Sequence, residues 1–339
     1  MATIRDVAKL SGVSAATVSH VLNGRTGRVS EATRERVMEA VRHLKYRPPA
    51  AQLRPQRRRT DTIGVIIPDL GANPFTTNAY FGKVLEGVVE VAGFAGIAVT
   101  IMVERMWDNV GGQIRRNFDG RCDGVYYIAP NHGSELLLML SERGTPVVVV
   151  GAPAGPGIAS VDVDNEAIGR EAAERLFSLG HRTFAYIGHH PDQYSSYARR
   201  ESFERRLASF GVDLKQDYRC PPYRDALDGM TDLYGASDGF SPTAIFCWHD
   251  GNAVPVIHFL RERGLRVPED VSVLSVDGFV TPAGIPGGLS TFRQPVETIS
   301  RRAAQMLIGS IRNDEHLVES VRFPAEFVVG STIGPAPIR

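Results

Sequence analysis

The chain is poor in cysteine and has no long apolar run. Its 339 residues include three cysteines, Cys122, Cys220 and Cys247, and none of them belongs to a C-x-x-C pair. An odd number of widely spaced cysteines disfavours a disulfide framework and a zinc site, and favours free thiols. No apolar stretch approaches the roughly 18 residues that span a bilayer, so we expect no membrane partner. Residues 1–6 lack the apolar core of an export signal, which favours a cytoplasmic protein.

Two sequence motifs of common enzyme classes are also absent. The chain contains no G-x-x-x-x-G-K phosphate loop and no H-E-x-x-H metal helix. The pair His189-His190 has no cysteine or carboxylate partners at ligand spacing, which disfavours a metal site there. The sequence therefore predicts a protein that is not an enzyme and that uses no cofactor.

The net charge is zero, but charge is unevenly distributed along the chain. There are 38 basic and 38 acidic residues in all. Residues 1–60 hold 13 Lys or Arg against 4 Asp or Glu, whereas the remaining 279 residues hold 25 against 34. A basic end on an acidic body predicts a polyanion partner, such as DNA, at that end only.

The basic end begins with the pattern of two short helices joined by a tight turn. Thr3 can cap the first helix, Gly12 can take the positive φ of the turn, and Ser14 or Ala15 opens the second helix. This arrangement is a helix-turn-helix, whose second helix fits the DNA major groove. Any helical hairpin can show similar apolar spacing, but the basic charge favours DNA binding. The residues predicted to face inward are Ile4, Val7, Ala8, Val18, Val21 and Leu22.

A third helix and a linker complete this part of the chain. Apolar residues recur at helical spacing from Ser30 to about Tyr46, and Pro48-Pro49 then breaks the pattern. Residues 48–60 are rich in proline and arginine with almost no apolar anchor, which is typical of a linker. The run Arg57-Arg58-Arg59 fits either a solvated linker or phosphate contact.

From residue 62 onward, apolar strands alternate with helical patterns. Such alternation predicts an α/β fold, in which parallel sheets are flanked by helices. Two series of about four strands each predict two Rossmann-like lobes, and a cleft between them would collect the carboxyl ends of both sets of strands. We predict strands at residues 63–68, 97–103, 124–129, 146–151, 184–188, 243–247 and 271–276, and helices at residues 84–92, 168–179, 199–210 and 254–263.

Segments along the whole chain resemble the LacI/GalR family of bacterial transcriptional regulators. The matches include T-I-R-D-V-A at 3–8, G-V-S-A-A-T-V-S-H-V-L-N at 12–23, I-G-V-I-I-P-D at 63–69 and G-L-R-V-P-E-D-V-S at 264–272, in the family's order. The resemblance implies a helix-turn-helix head, a hinge, and a core of periplasmic-binding-protein type that dimerises and binds an effector. The implied domains are a head at 1–47, a hinge at 48–61, an N-terminal effector lobe at 62–160 with 293–322, and a C-terminal effector lobe at 161–292 with 323–339.

The family resemblance also implies which head residues contact DNA. Ala15, Ala16 and His20 occupy positions that face base edges, and because two alanines offer only apolar contact, hydrogen-bonded readout depends on His20. Capping or solvent exposure is the alternative for Thr17 and Ser19. The further residues assigned to DNA contact, mainly with phosphates, are Thr3, Ser14, Thr17, Ser19, Asn23 and Ser30.

The hinge departs from the family pattern. Relatives insert a leucine from a short hinge helix into the minor groove, and an ungapped count puts Pro55 at that position. Leu53 lies two residues earlier, roughly 200° away around a helix, so it cannot point the same way. Pro55 would also stop a helix that began at Pro49. Either the hinge shifts register or Pro55 itself is the wedge.

The effector residues are implied in the same way. Tyr80-Phe81 matches an aromatic pair that faces the ligand in a family member, although residues 73–75 resemble another form of this loop. Arg199 matches the ligand-binding arginine, and Asp277 matches an aspartate that accepts hydrogen bonds from the ligand. A structural salt bridge is the alternative for Arg199 and Asp277.

Four more residues fall at strand ends or cleft-facing positions, and core packing is the alternative for one of them, Phe246. Aromatic rings with Asp and Arg favour a sugar effector over a nucleobase, since ring faces stack and carboxylates accept from hydroxyls. Whether the effector releases or promotes DNA binding stays open. The four residues are Asp164, Phe246, Trp248 and Asp250.

We therefore expect a cytoplasmic, nucleoid-associated regulator, a repressor, that binds a double-stranded pseudo-palindromic operator as a homodimer. The segment S-T-I-G-P-A-P-I-R at 331–339 contains no leucine heptad of the kind through which a tetrameric family member assembles. A sugar-transport binding protein would share the core, but it would need an export signal and would not carry residues 1–60.

Overall fold

The computed structural model describes residues 3–22, 29–44, 46, 59–68, 79–104, 121–130, 134–142, 144–154, 158–188, 193–216, 218–221, 226–236, 239–279, 282–314 and 318–338. The chain divides into two compact units: Met1–Thr60 with Glu142–Thr145, and Asp61–Ser141 with Pro146–Arg339. We call residues 1–60 the head and residues 61–339 the body. The predictions for Asn23, Leu53, Pro55, residues 57–58, residues 73–75 and His189-His190 lie outside the described residues.

The described part of the head contains helices α1 (Ile4–Ser11), α2 (Ala15–Leu22) and α3 (Glu31–His43). Thr3 caps α1 in a capping box, in which its hydroxyl accepts from the Asp6 amide and the Asp6 carboxylate accepts from the Thr3 amide. Gly12 ends α1 with φ of 68°, a conformation that glycine adopts without a Cβ clash. The predicted cap and turn are both confirmed.

The core of the head is small. Val7 and Val18, from α1 and α2, have no exposed surface, and Val37 of α3 packs against them. Ile4, Val21 and Leu22 are only partly buried at the edge of this cluster. The buried members among the described residues are Val7, Ala8, Val18, Val37, Ala40 and Tyr46.

The strands of the body form two sheets of six strands each within the described ranges. The first sheet has the order β11-β5-β4-β3-β1-β2, and all of its pairs are parallel. Its strands are β1 (Thr62–Pro68), β2 (Ala98–Glu104), β3 (Gly124–Ile128), β4 (Val147–Val150), β5 (Ala159–Val163) and β11 (Ser320–Phe323).

The second sheet has the order β12-β10-β9-β8-β6-β7, and its β10–β12 pair is antiparallel. The fold class and the pair of lobes are confirmed, but the prediction of about four strands per lobe is wrong. The unpredicted strands are short and each carries serine, aspartate, glutamate or arginine, so no apolar run marks them in the sequence. The strands of this sheet are β6 (Phe184–Ile187), β7 (Tyr218–Arg219), β8 (Ala244–Cys247), β9 (Ser272–Asp277), β10 (Ser290–Arg293) and β12 (Glu326–Val328).

Helices follow most strands of the body, as a parallel sheet requires. Two of them, α6 and α7, pack closely against each other, and each carries a residue of the candidate site. No helix in the described ranges is long and apolar enough to cross a membrane. The helices are α4 (Ala79–Phe94), α5 (Glu135–Glu142), α6 (Asn165–Ser178), α7 (Tyr194–Ser209), α8 (Ala226–Gly235), α9 (Asp250–Glu262) and α10 (Val296–Asn313).

Candidate DNA-binding helix and effector cleft

The N-terminus of α2 is built to face outward. The Thr17 amide donates to the Ser14 hydroxyl at 3.0 Å, so Ser14 caps the helix. Val18 points into the head core, whereas Ala15 and Ala16 are exposed and His20 is half-buried. Ala16 and His20 are four residues apart and so share one face of α2. The geometry leaves the predicted base-reading positions accessible along that face.

Two of the serines assigned to phosphate contact, Ser14 and Ser30, lie at helix N-termini. Ser30 caps α3, where it accepts from the Thr33 amide at 3.4 Å. The hydroxyl pairs Ser14–Thr17 and Ser30–Thr33 are each 2.9 Å apart. Capping accounts for these positions within the free head, and helix N-termini also favour bound phosphate. The phosphate contacts stay predictions.

In the body, a buried arginine joins two helices and a strand end. Arg199 of α7 is 3% exposed. Its Nε donates to Asn165 Oδ1 at 2.9 Å, and its Nη1 donates to the Trp248 carbonyl at 2.6 Å. Asn165 begins α6, and Trp248 follows β8. These bonds fix the guanidinium beside the carboxyl ends of strands, where ligands bind in such folds.

Asp277 ends β9 in a strained backbone conformation. Its φ is 131°, which residues with a side chain rarely adopt. Gln294 Nε2 donates to Asp277 Oδ1 at 2.7 Å. Burial raises the pKa of Asp277 to about 7; the nearby Asp250 carboxylate adds to this shift, and Arg199 opposes it. The carboxyl group of Asp277, near Arg199, therefore loses its proton at a higher pH than an exposed aspartate does.

A second carboxylate near Arg199 is Asp162, which the sequence analysis missed. It is half-buried in β5, where Oδ1 accepts from the Val163 amide at 2.7 Å and Oδ2 accepts from Asn165 Nδ2 at 2.9 Å. Burial raises its pKa to about 7, and the Val163 amide and Arg199 oppose the shift. The available signal was a charged residue inside a strand of otherwise small or apolar residues.

Charged residues of both sheets influence the pKa of the Tyr80 hydroxyl. Burial raises the pKa of its hydroxyl well above the usual range, the negative charges of Asp162 and Asp277 add to the shift, and Arg199 opposes it. A Cβ built on Gly151 would lie 2.7 Å from the Tyr80 hydroxyl, so only glycine admits the ring at that distance. The charges of Asp162, Arg199 and Asp277 thus all act on the Tyr80 hydroxyl. We call these four residues the cleft residues.

Two aromatic residues that were assigned to the effector are buried against other aromatic rings in the structure. Phe246 has no exposed surface, and its ring packs 5.1 Å from Phe203 and 5.5 Å from Tyr186, so it is a core residue. Phe81 is 5% exposed and packs edge-to-face on Tyr80 at 5.6 Å. The reason in both cases is that the apolar side of the element faces the core.

Two aspartates also have structural roles that their strand-end positions did not reveal. Asp164 caps α6, where its Oδ1 accepts from the Ala167 amide at 2.9 Å. Asp250 is buried, and its carboxylate accepts from Ser275 at 2.5 Å, Thr291 at 2.8 Å and the Gly278 amide at 2.9 Å. These bonds tie α9 to β9 and β10, and they take up three of the roughly four acceptor sites of the carboxylate.

Trp248 is half-buried beside the arginine. Its indole Nε1 donates to Ser195 Oγ at 3.1 Å, and its ring lies 4.5 Å from the ring of His249. His249 caps α9 by accepting from the Asn252 amide at Nδ1. Trp248 therefore keeps part of its surface exposed next to Arg199, and its contact with the effector stays a prediction.

Comparisons with known proteins agree with this architecture. Residues 3–49 match a family model described as bacterial regulatory proteins of the lacI family, and residues 173–333 match one for a periplasmic binding protein-like domain. A transcriptional repressor named PurR from Aliivibrio fischeri (strain MJ11) is 32% identical over 343 residues, covering 98% of both chains. The chain belongs to the lacI family.

Three further proteins are similar to this chain over nearly its whole length. PurR of Vibrio campbellii (strain ATCC BAA-1116) is 30% identical, with 98% of this chain and 99% of the relative covered. A CelR–cellobiose complex superposes with a TM-score of 0.73 at 26% identity, covering 98% and 100% of the two chains. A lac repressor dimer bound to operator and the anti-inducer ONPF gives 0.69 at 22% identity with 98% coverage of each, which shows the shared fold. The chain is thus a LacI-family transcriptional repressor with a helix-turn-helix head.

Proposed function

We propose that this repressor binds a pseudo-palindromic operator as a cytoplasmic homodimer, and that a sugar in the cleft changes its operator affinity. The observation that carries the proposal is the set of cleft residues: two carboxylates, one from each sheet, lie within electrostatic range of a buried arginine and a tyrosine, in a chain with a helix-turn-helix head. Such a convergence of aromatic and charged groups suits a small polyhydroxy ligand.

DNA reading rests on the exposed face of α2. His20 is the hydrogen-bonding side chain there, whereas Ala15 and Ala16 offer apolar contact to a thymine methyl. Operator sequences selected from a random duplex library provide the probe. His20→Ala should weaken operator binding by about 1–3 kcal/mol and relax sequence preference, whereas His43→Ala, an exposed histidine of α3, serves as the control. Equal operator affinity of wild type and His20→Ala would remove the assignment.

A dimer is needed because one recognition helix reads few base pairs by itself. The outer side of the first sheet supports self-association. Phe94, near the end of α4, is 89% exposed, and Ile101 and Val103 are exposed on β2, an edge strand among the described strands. Light scattering without DNA should give a dimer, and Ile101→Asp should shift it toward a monomer while Val329→Asp does not. A tetramer at micromolar concentration would contradict the proposal.

A sugar is favoured over a nucleobase as the effector because carboxylates accept from hydroxyls while the Tyr80 and Trp248 rings can cover a sugar face. The similarity to CelR, solved with cellobiose, supports this choice. Calorimetry with cellobiose, ribose and guanine tests it. Arg199→Ala should abolish sugar binding, whereas Arg205→Ala, an exposed arginine of the same helix, should not. Unchanged sugar affinity in Arg199→Ala would defeat the assignment.

A further inference from the structure

We infer that Lys83, Phe279 and Glu297 form a clasp between the two lobes of the body, and that this clasp biases the lobes toward the arrangement described here. The clasp includes none of the cleft residues, so it acts whatever occupies the cleft. The inference rests on the proposed function in one respect, since an effector would then act on an equilibrium that the clasp already sets.

The clasp joins a helix of the first lobe to a loop of the second lobe. Lys83 lies in α4, and its Nζ is over the ring of Phe279, 5.6 Å from the ring centroid. Phe279 follows β9, the strand of the second sheet that ends at Asp277. An ammonium within about 6 Å of a ring centroid is attracted to the negative face of the ring. This cation–π contact therefore bridges the two lobes.

Glu297 holds the Lys83 ammonium in place. Lys83 Nζ donates to Glu297 Oε1 at 2.5 Å, and the two side chains are 31% and 37% exposed. This bond lowers the pKa of Glu297, so the carboxylate is ionised at neutral pH. Glu297 lies in the first turn of α10, which packs against α4. The ammonium is thus anchored by its own lobe and presented to the ring of the other.

The loop that carries Phe279 is fixed to the second sheet. The Gly278 amide donates to Asp250 Oδ2 at 2.9 Å, and Arg293 Nε donates to the Gly278 carbonyl at 3.4 Å. Gly278 has φ of 67°, and a Cβ there would lie 2.9 Å from the Arg293 Cα, so glycine is required. A movement of the second lobe therefore moves the Phe279 ring with it.

Both partners of the contact are close in sequence to cleft residues. Lys83 is three residues after Tyr80 on α4, which places the two side chains on neighbouring turns of one helix face. Phe279 is two residues after Asp277. A separation of the lobes that parts Tyr80 from Asp277 would also part Lys83 from Phe279. The clasp and the cleft therefore open together.

The expected bias is moderate. A cation–π contact changes the ratio of two states by about twofold when it is exposed and by about thirtyfold when it is desolvated. Lys83 and Phe279 are both partly exposed, so we expect the lower part of this range, about two- to fivefold. A bias of this size holds the lobes together without preventing them from separating.

Pulsed electron spin resonance on the full-length protein measures the separation of the lobes. Spin labels are attached to Leu138→Cys of α5 and Arg205→Cys of α7, because both positions are exposed and each lies on a different lobe. Cys220, the one cysteine of the three that is not buried, is replaced by serine. Labelled chain is diluted with unlabelled chain, so that distances within one chain dominate. Lys83→Met and Phe279→Leu should each raise the long-distance fraction about two- to fivefold.

Further variants separate the cation–π contact from a merely structural role. Phe279→Tyr keeps an aromatic ring and should behave as wild type. Lys215→Met, an exposed lysine between α7 and β7, is the matched control for the loss of charge. The double variant Lys83→Met/Phe279→Leu should show no more than the larger single effect, because both substitutions remove the same contact.

The outcomes distinguish failure of the clasp from failure of the proposed function. Equal distance distributions in wild type, Lys83→Met and Phe279→Leu would overturn the clasp, and so would single effects that add in the double variant. Operator affinity is then measured without effector. Wider separation with a changed operator affinity supports both the clasp and the control of the head by the cleft. Wider separation with an unchanged operator affinity supports the clasp and counts against that control.

Discussion

The head and the body of this repressor are held by interactions of different range. In the head, Thr3 and Ser14 each bond an amide three residues away, and Gly12 turns the chain between α1 and α2. In the body, the site depends on residues far apart in sequence: Asn165 lies 34 positions from Arg199, and Trp248 lies 49 positions from it. The head is therefore a local structure with a small core, and the cleft is a product of the whole α/β fold.

The first way to break this comparison is to place a charge in the head core. Val18 has no exposed surface, so Val18→Asp would bury a carboxylate without a partner and should unfold the head. Val18→Ala should cost about 2 kcal/mol. Operator binding should be lost in Val18→Asp, while calorimetry shows unchanged sugar binding by the body. Loss of sugar binding as well would mean that the two parts do not fold independently.

The second test removes a long-range contact of the body. Asp250→Ala would leave Ser275, Thr291 and the Gly278 amide without their shared acceptor, and should destabilise the body by about 2–3 kcal/mol. Urea unfolding followed by tryptophan fluorescence reports on the body, since Trp248 lies within it. If Asp250→Ala leaves the stability of the body unchanged but weakens sugar binding, Asp250 would instead be a ligand contact.

The third test uses pH to separate the two parts. The folded body holds Asp162 and Asp277 with a pKa of about 7, above the value of about 3.9 expected in an unfolded chain. Between these values the folded state binds more protons than the unfolded state, so stability is lost as pH rises through that window. The melting temperature of the body should fall between about pH 5 and about pH 8, and Asp162→Asn should flatten that slope. An equal slope in both proteins would contradict the raised pKa.

The smallest effect is expected from a helix cap of the head. Ser14→Ala removes the acceptor for the Thr17 amide and should cost the head about 1 kcal/mol. Ser178→Ala serves as the control, because that hydroxyl donates to the Glu174 carbonyl inside α6 and caps no helix N-terminus. The effect of each substitution on thermal unfolding is measured by circular dichroism. Equal effects of the two substitutions would contradict the expected contribution of capping to the stability of the head.

The same difference in range explains what the sequence could predict. Helix caps, the Gly12 turn and the alternation of strands with helices depend on near neighbours, and these predictions are confirmed. Strands such as β5 and β10 were missed because they carry polar residues that tertiary packing covers. The predicted boundaries of the two lobes and the DNA contacts stay predictions.

The choice among aspartates could not be made from spacing. Asp162 and Asp164 are two residues apart at the end of β5, yet the first faces Arg199 and the second caps α6. Phe246 likewise lies in β8, and Trp248 lies two residues later, just beyond the strand. Only Trp248 keeps exposed surface. Which side of a strand end faces the cleft is decided by helices packed from distant parts of the chain.

The most direct test of the account is the operator affinity of the full-length protein with and without a sugar that calorimetry shows to bind. Fluorescence anisotropy on the selected operator should show a change of about tenfold or more in wild type, in either direction. Arg199→Ala should bind the operator with the affinity of unliganded wild type and show no response to the sugar. A bound sugar that leaves the operator affinity of wild type unchanged would contradict the claim that the cleft regulates the head.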